Sequence, residues 1–505
     1  MSTHCNPFVS VNLALLLCLA TQIGCGTKIA QTATVPGDLA GNGAPDASLP
    51  ASCGATLASR LSITTITVDD DIRYKRDGYD YIPTDARIAY AVAPSGNGYV
   101  AWSDNALANV HVTPLTALQT RLGPDWIIPG HDIGGLVAHD DGFALLLSQG
   151  DPGQALINAN LSDANNVVYG YAAVLVRATQ GATTFAVALT GTSSIDSDPT
   201  NPSTDCVEFM DGRLAFNGSN YGAYFTVHQC QLSGASSSSG MYADKLVYVG
   251  TLGQALAGGW NWGCQIDEDL RLLPEAGQFT ALCMKDRGAN AGMNLVREGA
   301  SPTLDLLAEE FATVGFCSGQ FGSVVKSSAN ANYSVTWLSR GGVTGATDAL
   351  QPAKSENDIA LLQLSAAPDY TPGSVIAVTS TPDVNEMNLH MAPYGSDRLL
   401  LGWDSVENPN CNRVPNTQTC FGDYAGTHFR LIDKQGHFLT PDETLPAPPN
   451  SRDDMVLFPN GDIGWAFVPD SSRNYADTLP LDSHKVPQVP ARRQISIARL
   501  IYCAD

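Results

Sequence analysis

Pairs of short apolar runs, each pair joined by a tight polar turn, recur along the chain. In every pair, β-branched, aromatic and aliphatic residues flank a few Gly, Asn, Asp or Ser residues. Gly and Asn tolerate the positive φ that tight hairpins require, so each unit predicts a β-hairpin. The seven hairpins lie at 88–104, 135–148, 213–227, 270–284, 323–339, 388–405 and 454–469.

The second strand of each hairpin is almost continuously apolar, which predicts burial on both faces. Further strand-like segments lie between the hairpins, for example DKLVYVGTL and DIALLQLS. Two inner and two outer strands make a four-stranded antiparallel blade, so we expect an all-β, seven-bladed β-propeller. A pair of sandwiches or a solenoid fits seven equivalent hairpins less well. Eight blades are the alternative, because VVYGYAAVLVRA and TTFAVALTG fall in the long interval between the second and third hairpins.

A propeller ring has to close, and the chain offers an amphipathic strand at each end for this purpose. The first is SITTITV (62–68) and the last is ISIARLIYC (495–503). We predict that these two strands pair within one blade. A Cys53–Cys503 disulfide would then hold the closure.

Composition supports an exported, turn-rich protein. Of the 505 residues, 44% are hydrophobic and only 15% are charged, against roughly 25% in an average domain. The formal net charge is −23, from 27 basic and 50 acidic residues. Nucleic acid and anionic membrane surfaces are therefore not expected partners, because both need clustered positive charge. The acidity favours solubility, with binding of calcium or another cationic ligand as the alternative explanation.

The N-terminus carries an export signal. Residues 11–20, VNLALLLCLA, form an apolar run too short to span a bilayer but of signal-peptide length. The segment Gln22-Ile23-Gly24-Cys25-Gly26 resembles the bacterial lipobox, which implies a lipid on Cys25. Gln22 departs from the usual aliphatic residue, and the first ten residues contain no Lys or Arg. Ordinary cleavage, giving a periplasmic or secreted protein, is the alternative.

These features divide the chain into three parts: a signal peptide (1–25), a flexible tether rich in Ala, Gly, Thr and Pro (26–52), and the propeller (53–505). Because Gly26 rather than Asp follows the cysteine, the lipobox resemblance implies delivery to the outer membrane or cell surface.

Nine cysteines remain after Cys5, Cys18 and Cys25 are set aside. They are dispersed and contain no CxxC pair, so the sequence predicts disulfides rather than a zinc site. Three pairings have a reason in the sequence, although sequence alone does not fix connectivity: Cys53 with Cys503, Cys264 with Cys283, and Cys411 with Cys420.

One aromatic segment stands out, Gly258-Gly259-Trp260-Asn261-Trp262-Gly263-Cys264. Trp260 and Trp262 are candidate platforms for a flat ligand such as a sugar ring. The alternative is that they pack the segment onto the propeller. With the preceding strand YGAYFTVH, the segment is similar to uncharacterised bacterial lipoproteins of propeller type. That resemblance covers about a fifth of the chain and implies no activity.

Two other features are candidate sites. Asp69, Asp70 and Asp71 follow the first strand and would suit calcium, or else form a solvated turn. The Pro- and Asn-rich segment 407–420 is long enough to lie over a propeller face and contact a partner, or to be a structural loop.

No nucleophile elbow, zinc-protease helix, phosphate loop or EF-hand loop is present, and no cofactor is predicted. The first hypothesis is therefore a non-enzymatic surface protein that binds a cell-envelope protein or glycan and contacts the membrane only through its lipid. A glycan hydrolase or lyase with its site at the central channel is the second, and a structural envelope protein is the third. An enzyme would need two or more carboxylates, or a His and a Tyr, converging at one mouth of that channel. Asp104, Glu275 and Asp404 lie near hairpin ends and are the candidate carboxylates.

Overall fold

In the computed structural model, the first elements of the described residues are a short helix and the first strand of the ring. Helix α1 (Leu57–Arg60) leads directly into β1 (Leu61–Thr67), and a two-stranded ribbon follows, β2 (Tyr74–Lys75) with β3 (Asp85–Ala86). Thr56 caps α1 by accepting a hydrogen bond from the Ser59 N–H at 3.2 Å. The structure describes residues 53–75, 85–86, 88–104, 109–150, 171–179, 182–191, 194–195, 205–207, 210–229, 242–265, 267–285, 290–296, 304–310, 321–328, 331–339, 343–344, 356–366, 369–410, 421–450, 453–469 and 492–503.

Six antiparallel sheets, here called blades 1 to 6, follow one another along the chain. Blade 1 contains β4 (Ile88–Val92), β5 (Gly98–Ser103), β6 (Asn109–Leu115) and β7 (Trp126–Pro129). Blade 2 contains β8 (Ile133–His139), β9 (Gly142–Gly150), β10 (Tyr171–Thr179) and β11 (Ala182–Ala188). Blade 3 contains β12 (Asp205–Cys206), β13 (Gly212–Phe216), β14 (Asn220–Gln229), β15 (Tyr242–Gly250) and β16 (Trp260–Gln265).

The remaining three blades repeat the plan, with one strand exchanged between neighbours. Blade 4 contains β17 (Asp267–Glu275), β18 (Gln278–Lys285), β19 (Asn290–Val296) and β20 (Leu304–Glu310). Blade 5 contains β21 (Phe321–Lys326), β22 (Tyr333–Ser339), β24 (Asp358–Leu364) and β25 (Pro372–Ala377), while the intervening β23 (Val343–Thr344) joins blade 4 by pairing with β20. Blade 6 contains β26 (Val384–Tyr394), β27 (Arg398–Asn410), β28 (Phe421–Asp433) and β29 (Glu443–Thr444).

The two ends of the described chain build the last sheet together. This closing sheet has the strand order β1, β32 (Gln494–Leu500), β31 (Ile463–Phe467), β30 (Val456–Leu457). The antiparallel register of β1 and β32 runs from Leu61 opposite Leu500 to Thr67 opposite Gln494. Cys53 and Cys503 form a disulfide beside it, with their Cα atoms 5.7 Å apart. The predicted strand closure and its disulfide are both confirmed.

The propeller of four-stranded antiparallel blades is confirmed, but the predicted blade count needs correction. Six blades are built from a single stretch of chain, rather than seven or eight. The hairpin at 454–469 is not a further blade of that kind, because strands from both ends of the chain complete its sheet. The segments behind the eight-blade alternative supply β10 and β11, which pair with β9 as the outer strands of blade 2.

The hydrophobic core lies between neighbouring sheets, which is how a radial arrangement buries both faces of each blade. Phe143 and Leu145 of blade 2 pack against alanines of blade 1. Trp102 of blade 1 packs in one cluster with Ile495 of the closing sheet. Trp465 of the closing sheet stacks on Phe429 of blade 6. Similar clusters join blades 2 and 3, blades 3 and 4, and blades 5 and 6.

The expectation that the second strands are buried on both faces is also confirmed. Every residue of β22 and of β31 is buried, as are most residues of β5 and β9. The signal peptide, Cys25, the tether and the 411–420 part of the Pro- and Asn-rich segment lie outside the described residues. Within the described ranges, no helix has both the length and the apolar character needed to cross a bilayer.

Candidate functional site

A charged cluster lies across the axis of the ring. The packing described above places the closing sheet between blades 1 and 6, so blades 3 and 4 are the sheets farthest from it around the ring. Asp454 lies two residues before β30 of the closing sheet, yet its carboxylate pairs with Arg213 of blade 3 and Arg271 of blade 4. These ion pairs therefore span the central channel from one wall to the other. We call Arg213, Arg271 and Asp454 the axial cluster.

The two arginines hold the carboxylate from both sides. Nε of Arg213 lies 3.4 Å from Oδ2 of Asp454, and Nε of Arg271 lies 3.3 Å from Oδ1. Each oxygen of the carboxylate thus faces a different guanidinium group. Two guanidinium groups around one carboxylate form a receptor matched to its charge and planar shape.

Main-chain carbonyl groups hold both guanidinium groups in the channel wall. Arg271 donates from Nη1 to the Leu270 oxygen at 2.8 Å and from Nη2 to the Gly322 oxygen at 3.2 Å. Arg213 donates from Nη1 to the Gly212 oxygen at 2.8 Å. Because inner strands supply these acceptors, the positions of the arginines do not depend on Asp454 alone.

The carboxylate is much more open to solvent than its partners. The Asp454 side chain is 40% exposed, whereas those of Arg213 and Arg271 are 11% and 4% exposed. Burial raises the pKa of Asp454, but the charges of Arg271 and Arg213 outweigh this effect and hold the pKa below its usual value. The positive charge of the two arginines thus keeps a carboxylate ionised in the channel.

The neighbouring carboxyl group, Asp453, has the opposite electrostatic environment. Burial, together with the charge of Asp454, raises its pKa to about 7. Its Oδ2 atom accepts a hydrogen bond from the Tyr90 N–H at 2.6 Å, which fastens the segment to blade 1. Asn450 adds a second link to this blade by donating from Nδ2 to the Ile88 oxygen at 3.1 Å.

Blade 6 contributes an irregular inner strand near the cluster. The register of β26 against β27 shifts between Met387 and His390, and Asn388 adopts a φ of 50°. The Asn388 side chain donates to the Pro449 oxygen at 3.2 Å, and its Oδ1 lies 3.1 Å from Nε2 of His390. His390 also helps to lower the pKa of Asp454. Bulges of this kind are common beside functional sites because they redirect side chains.

The tryptophan prediction is tested only in part. Trp260 donates from Nε1 to Oδ2 of Asp244 at 3.0 Å and meets the Tyr224 ring edge to face, with the ring centroids 5.8 Å apart. It therefore packs onto blade 3, as the alternative to a ligand platform proposed. The side chain of Trp262 lies outside the described residues, so its role as a platform stays a prediction.

The three consecutive aspartates diverge into different contacts. Asp69 pairs with Arg121 at 2.7 Å, and Asp71 pairs with Arg493 at 2.6 Å. Asp70 faces the buried imidazole of His111 at 3.8 Å. Among the residues that the structure describes, no group of His, Cys, Asp and Glu side chains is arranged to hold a metal ion. The structure does not gather the three aspartates around a common point, and calcium binding stays a prediction.

The carboxylates proposed for an enzyme lie on three different blades and have separate partners. Asp104 follows β5 of blade 1 and accepts a hydrogen bond from Nδ2 of Asn109. Glu275 of blade 4 pairs with Lys326 of blade 5 at 3.1 Å and accepts a hydrogen bond from Tyr333. Asp404 of blade 6 accepts a hydrogen bond from Thr427 at 2.6 Å.

Of the predicted cysteine pairs, only Cys53–Cys503 is tested in full. Cys283 and Cys206 are each disulfide-bonded. The side chain of Cys264 lies outside the described residues, as do Cys411 and Cys420. The pairings of Cys264 with Cys283 and of Cys411 with Cys420 stay predictions.

Sequence reasoning missed the axial cluster, although one signal was present. Arg213 and Arg271 occupy the same position of their hairpins, two charged residues in strands that are otherwise mostly apolar. Arg213 lies opposite Tyr224, and Arg271 lies opposite Leu282. In both hairpins, this opposite residue comes three places after the first aromatic residue of the second strand. Nothing in the local pattern connects them to Asp454.

The chain matches no protein-family model and no curated protein sequence. Among solved structures, it is similar to a protein of unknown function from Dyadobacter fermentans, with 10% identity, coverage of 86% of this chain and 99% of that one, and a TM-score of 0.33. A Hadza microbial sialidase is 11% identical over 63% of this chain and 62% of its own, with a TM-score of 0.35. An α-L-arabinofuranosidase from Clostridium thermocellum is 13% identical over 52% of this chain and 82% of its own, with a TM-score of 0.28. The activities named are those of the two enzymes. With TM-scores of 0.35 or less, these similarities do not indicate a function for this chain.

Proposed function

We propose that this protein is an exported surface protein that binds a cell-envelope glycan or protein at the mouth of its central channel, without catalysing a reaction. The observation that carries the proposal is the axial cluster, in which Asp454 crosses the channel to Arg213 and Arg271. Charged side chains on the axis of a propeller are costly to desolvate. A ligand that binds to these charged side chains would explain why they lie on the axis.

A binding screen with matched variants tests this proposal. The purified protein is applied to an array of neutral and acidic glycans and to solubilised envelope proteins, together with Arg213→Gln and Arg271→Gln variants. Arg493→Gln is the control, because this arginine also pairs with an aspartate but its side chain is 56% exposed. We expect a ligand that the control retains and both channel variants lose. A ligand that all four proteins bind equally would refute a channel site.

The anchor proposed at Cys25 has its own test. The Cys53–Cys503 disulfide indicates an oxidising compartment, which is consistent with export. Intact mass of the protein from a bacterial membrane fraction should correspond to a chain that starts at Cys25 and carries a diacylglyceryl group and an acyl chain. A chain of the same start without lipid, or one cleaved elsewhere, would replace the anchor with a released protein.

A second candidate function, glycan hydrolysis, is favoured by the contrast between Asp453 and Asp454. One carboxyl group has a pKa of about 7 and its neighbour is held ionised, and two carboxyl groups whose pKa values are pushed apart suit acid and base roles. Hydrolysis predicts release of reducing sugar from array ligands, with a rate that falls as pH rises above about 7 in the wild type. The Asp453→Asn variant should then abolish turnover and leave binding intact. Binding without turnover across pH 4–9 supports the first proposal.

A further inference from the structure

The axial cluster combines a fixed receptor with a loosely held occupant. Its two guanidinium groups are fastened to backbone carbonyl oxygens of the channel wall, as described above. Asp454 makes contacts of 3.3 and 3.4 Å with them, longer than the usual 2.7–2.9 Å of a charge-assisted hydrogen bond. Its Oδ1 atom is buried and accepts no hydrogen bond of good geometry. The arginines thus present a carboxylate site that the protein's own carboxylate fills imperfectly.

A second Arg–Asp pair in the same molecule shows what a closed pair looks like. Nε of Arg499 lies 2.7 Å from Oδ2 of Asp462, and both side chains are buried, at 6% and 3% exposure. Asp462 also accepts a hydrogen bond from the Tyr502 N–H at 2.8 Å. This pair is short, well satisfied and sealed from solvent. The axial pairs are longer, leave Oδ1 of Asp454 without a hydrogen bond, and include a carboxylate that is 40% exposed. We therefore expect Asp454 to be displaced from its arginines more easily than Asp462.

We propose that Asp454 stands in for a ligand carboxylate between Arg213 and Arg271, so that the ligand of the channel is an acid and displaces Asp454 when it binds. This inference rests on the channel site proposed above and adds the chemical class of its ligand, a glycan or peptide that carries a carboxylate. The exposed side of Asp454 gives such a ligand a path to the arginines. Asp454 then acts as an internal competitor that occupies the space between the two arginines until the ligand arrives.

Removal of the competitor tests the proposal without knowledge of the natural ligand. The Asp454→Gly variant removes the carboxylate that lies between the two guanidinium groups and opens space beside them, while Arg213 keeps Asp211 at 3.8 Å. Sodium acetate should then bind there and raise the melting temperature above that in sodium chloride of equal ionic strength. At about ten times the Kd of acetate, the expected rise is about 1–2 °C. The wild type should show no such difference between the two salts.

Two controls separate this effect from a general salt effect. Asp462→Gly removes the carboxylate of the sealed pair, where acetate has no path, so its melting temperature should not respond specifically to acetate. The double variant Asp454→Gly, Arg271→Gln should lose the acetate response of the single variant. An equal response of the wild type and the Asp454→Gly variant, or no acetate-specific response in that variant, would overturn the proposal.

If the Asp454→Gly variant does not fold, a binding measurement on a second variant tests the same proposal. Asp454→Asn keeps the shape of the side chain and removes its charge, and D-glucuronate serves as the acidic probe with D-glucose as its neutral twin. Loss of the competing charge should strengthen glucuronate binding at least about fivefold, which is the effect of one unit charge at about 4 Å in bulk water. The Arg271→Gln variant should no longer bind glucuronate. Unchanged or weaker glucuronate binding by Asp454→Asn would mean that Asp454 is not displaced.

The outcomes distinguish this inference from the proposed function. If the array ligand depends on the two arginines but acetate and glucuronate do not bind, the displacement idea fails and the channel site remains. If the array ligand ignores both arginines, the channel site itself fails, whatever acetate does.

Discussion

The disulfide that closes the ring should contribute a large share of the stability of the propeller. Cys53 and Cys503 are separated by 450 positions in the sequence, so the bond restricts nearly the whole folded chain. The loop-entropy relation gives about 6 kcal/mol at 25 °C for a loop of this length. Removal of native disulfides usually costs somewhat less, so we expect the Cys53→Ser, Cys503→Ser double variant to lose about 3–5 kcal/mol in free energy of unfolding.

Urea unfolding followed by tryptophan fluorescence measures this loss. A reducing agent is not a substitute for the double variant, because Cys206 and Cys283 are also disulfide-bonded and would be reduced. The melting temperature should fall by about 3–5 °C, since the unfolding entropy of a chain of this size sums to roughly 1 kcal/mol/K. A single serine variant is avoided because the remaining thiol can exchange with the other disulfides.

A strand-pairing variant separates covalent from non-covalent closure. The hydroxyl groups of Thr65 and Ser496 lie 2.7 Å apart across the β1–β32 ladder, and alanine at both positions removes that hydrogen bond alone. This control should cost about 1 kcal/mol. If the double cysteine variant loses no more than the control, the reasoning from loop entropy is wrong, and the strands alone close the ring.

Three further predictions concern pH and packing. The Asp453 carboxyl group, with its pKa raised to about 7, stabilises the fold below the unfolded pKa of about 4 and loses that contribution as pH rises to about 7. The melting temperature of Asp453→Asn should therefore gain on the wild type over that window. Burial and Arg177 lower the pKa of His139 to about 4, so the wild type should lose stability as pH falls from about 6.5 to 4, and His139→Gln should not. A Cβ on Gly135 would lie 2.5 Å from the Leu214 nitrogen of the next blade, so Gly135→Ala should cost about 1–3 kcal/mol in urea, and Gly150→Ala, with open space, almost nothing.

The sequence predicts the hairpins because their signals are local. A hairpin such as 135–148 needs only two apolar runs and a turn that tolerates positive φ, and Gly142 indeed has a φ of 152°. The closure was also predictable, since a ring built from hairpins leaves one unpaired strand at each end. The blade count was not, because hairpin 454–469 looks like the other six, and only the pairing of the N-terminal strand β1 with β32 makes its sheet composite.

The axial cluster could not be predicted because it depends on the order of sheets around a ring. Arg213 and Asp454 meet only if the closing sheet lies opposite blades 3 and 4, and no local sequence pattern indicates which sheets face each other across the ring. The features that local pattern did single out, such as Trp260 and Asp69, make contacts within or beside their own sheet. Unusual composition thus identified residues whose contacts are local, whereas the strongest candidate site came from ordinary residues placed together by topology.

Stability and binding should respond in opposite directions if the axial cluster serves a ligand. Replacement of a buried ion pair by apolar residues is often neutral or stabilising, because the desolvation cost of the charges disappears. Leucine at positions Arg213, Arg271 and Asp454 together should therefore leave the melting temperature unchanged or raise it, while ligand binding is lost. A cluster kept for structure predicts the reverse, a lower melting temperature with binding intact. The two measurements on this one triple variant decide why the protein keeps three charges on its axis.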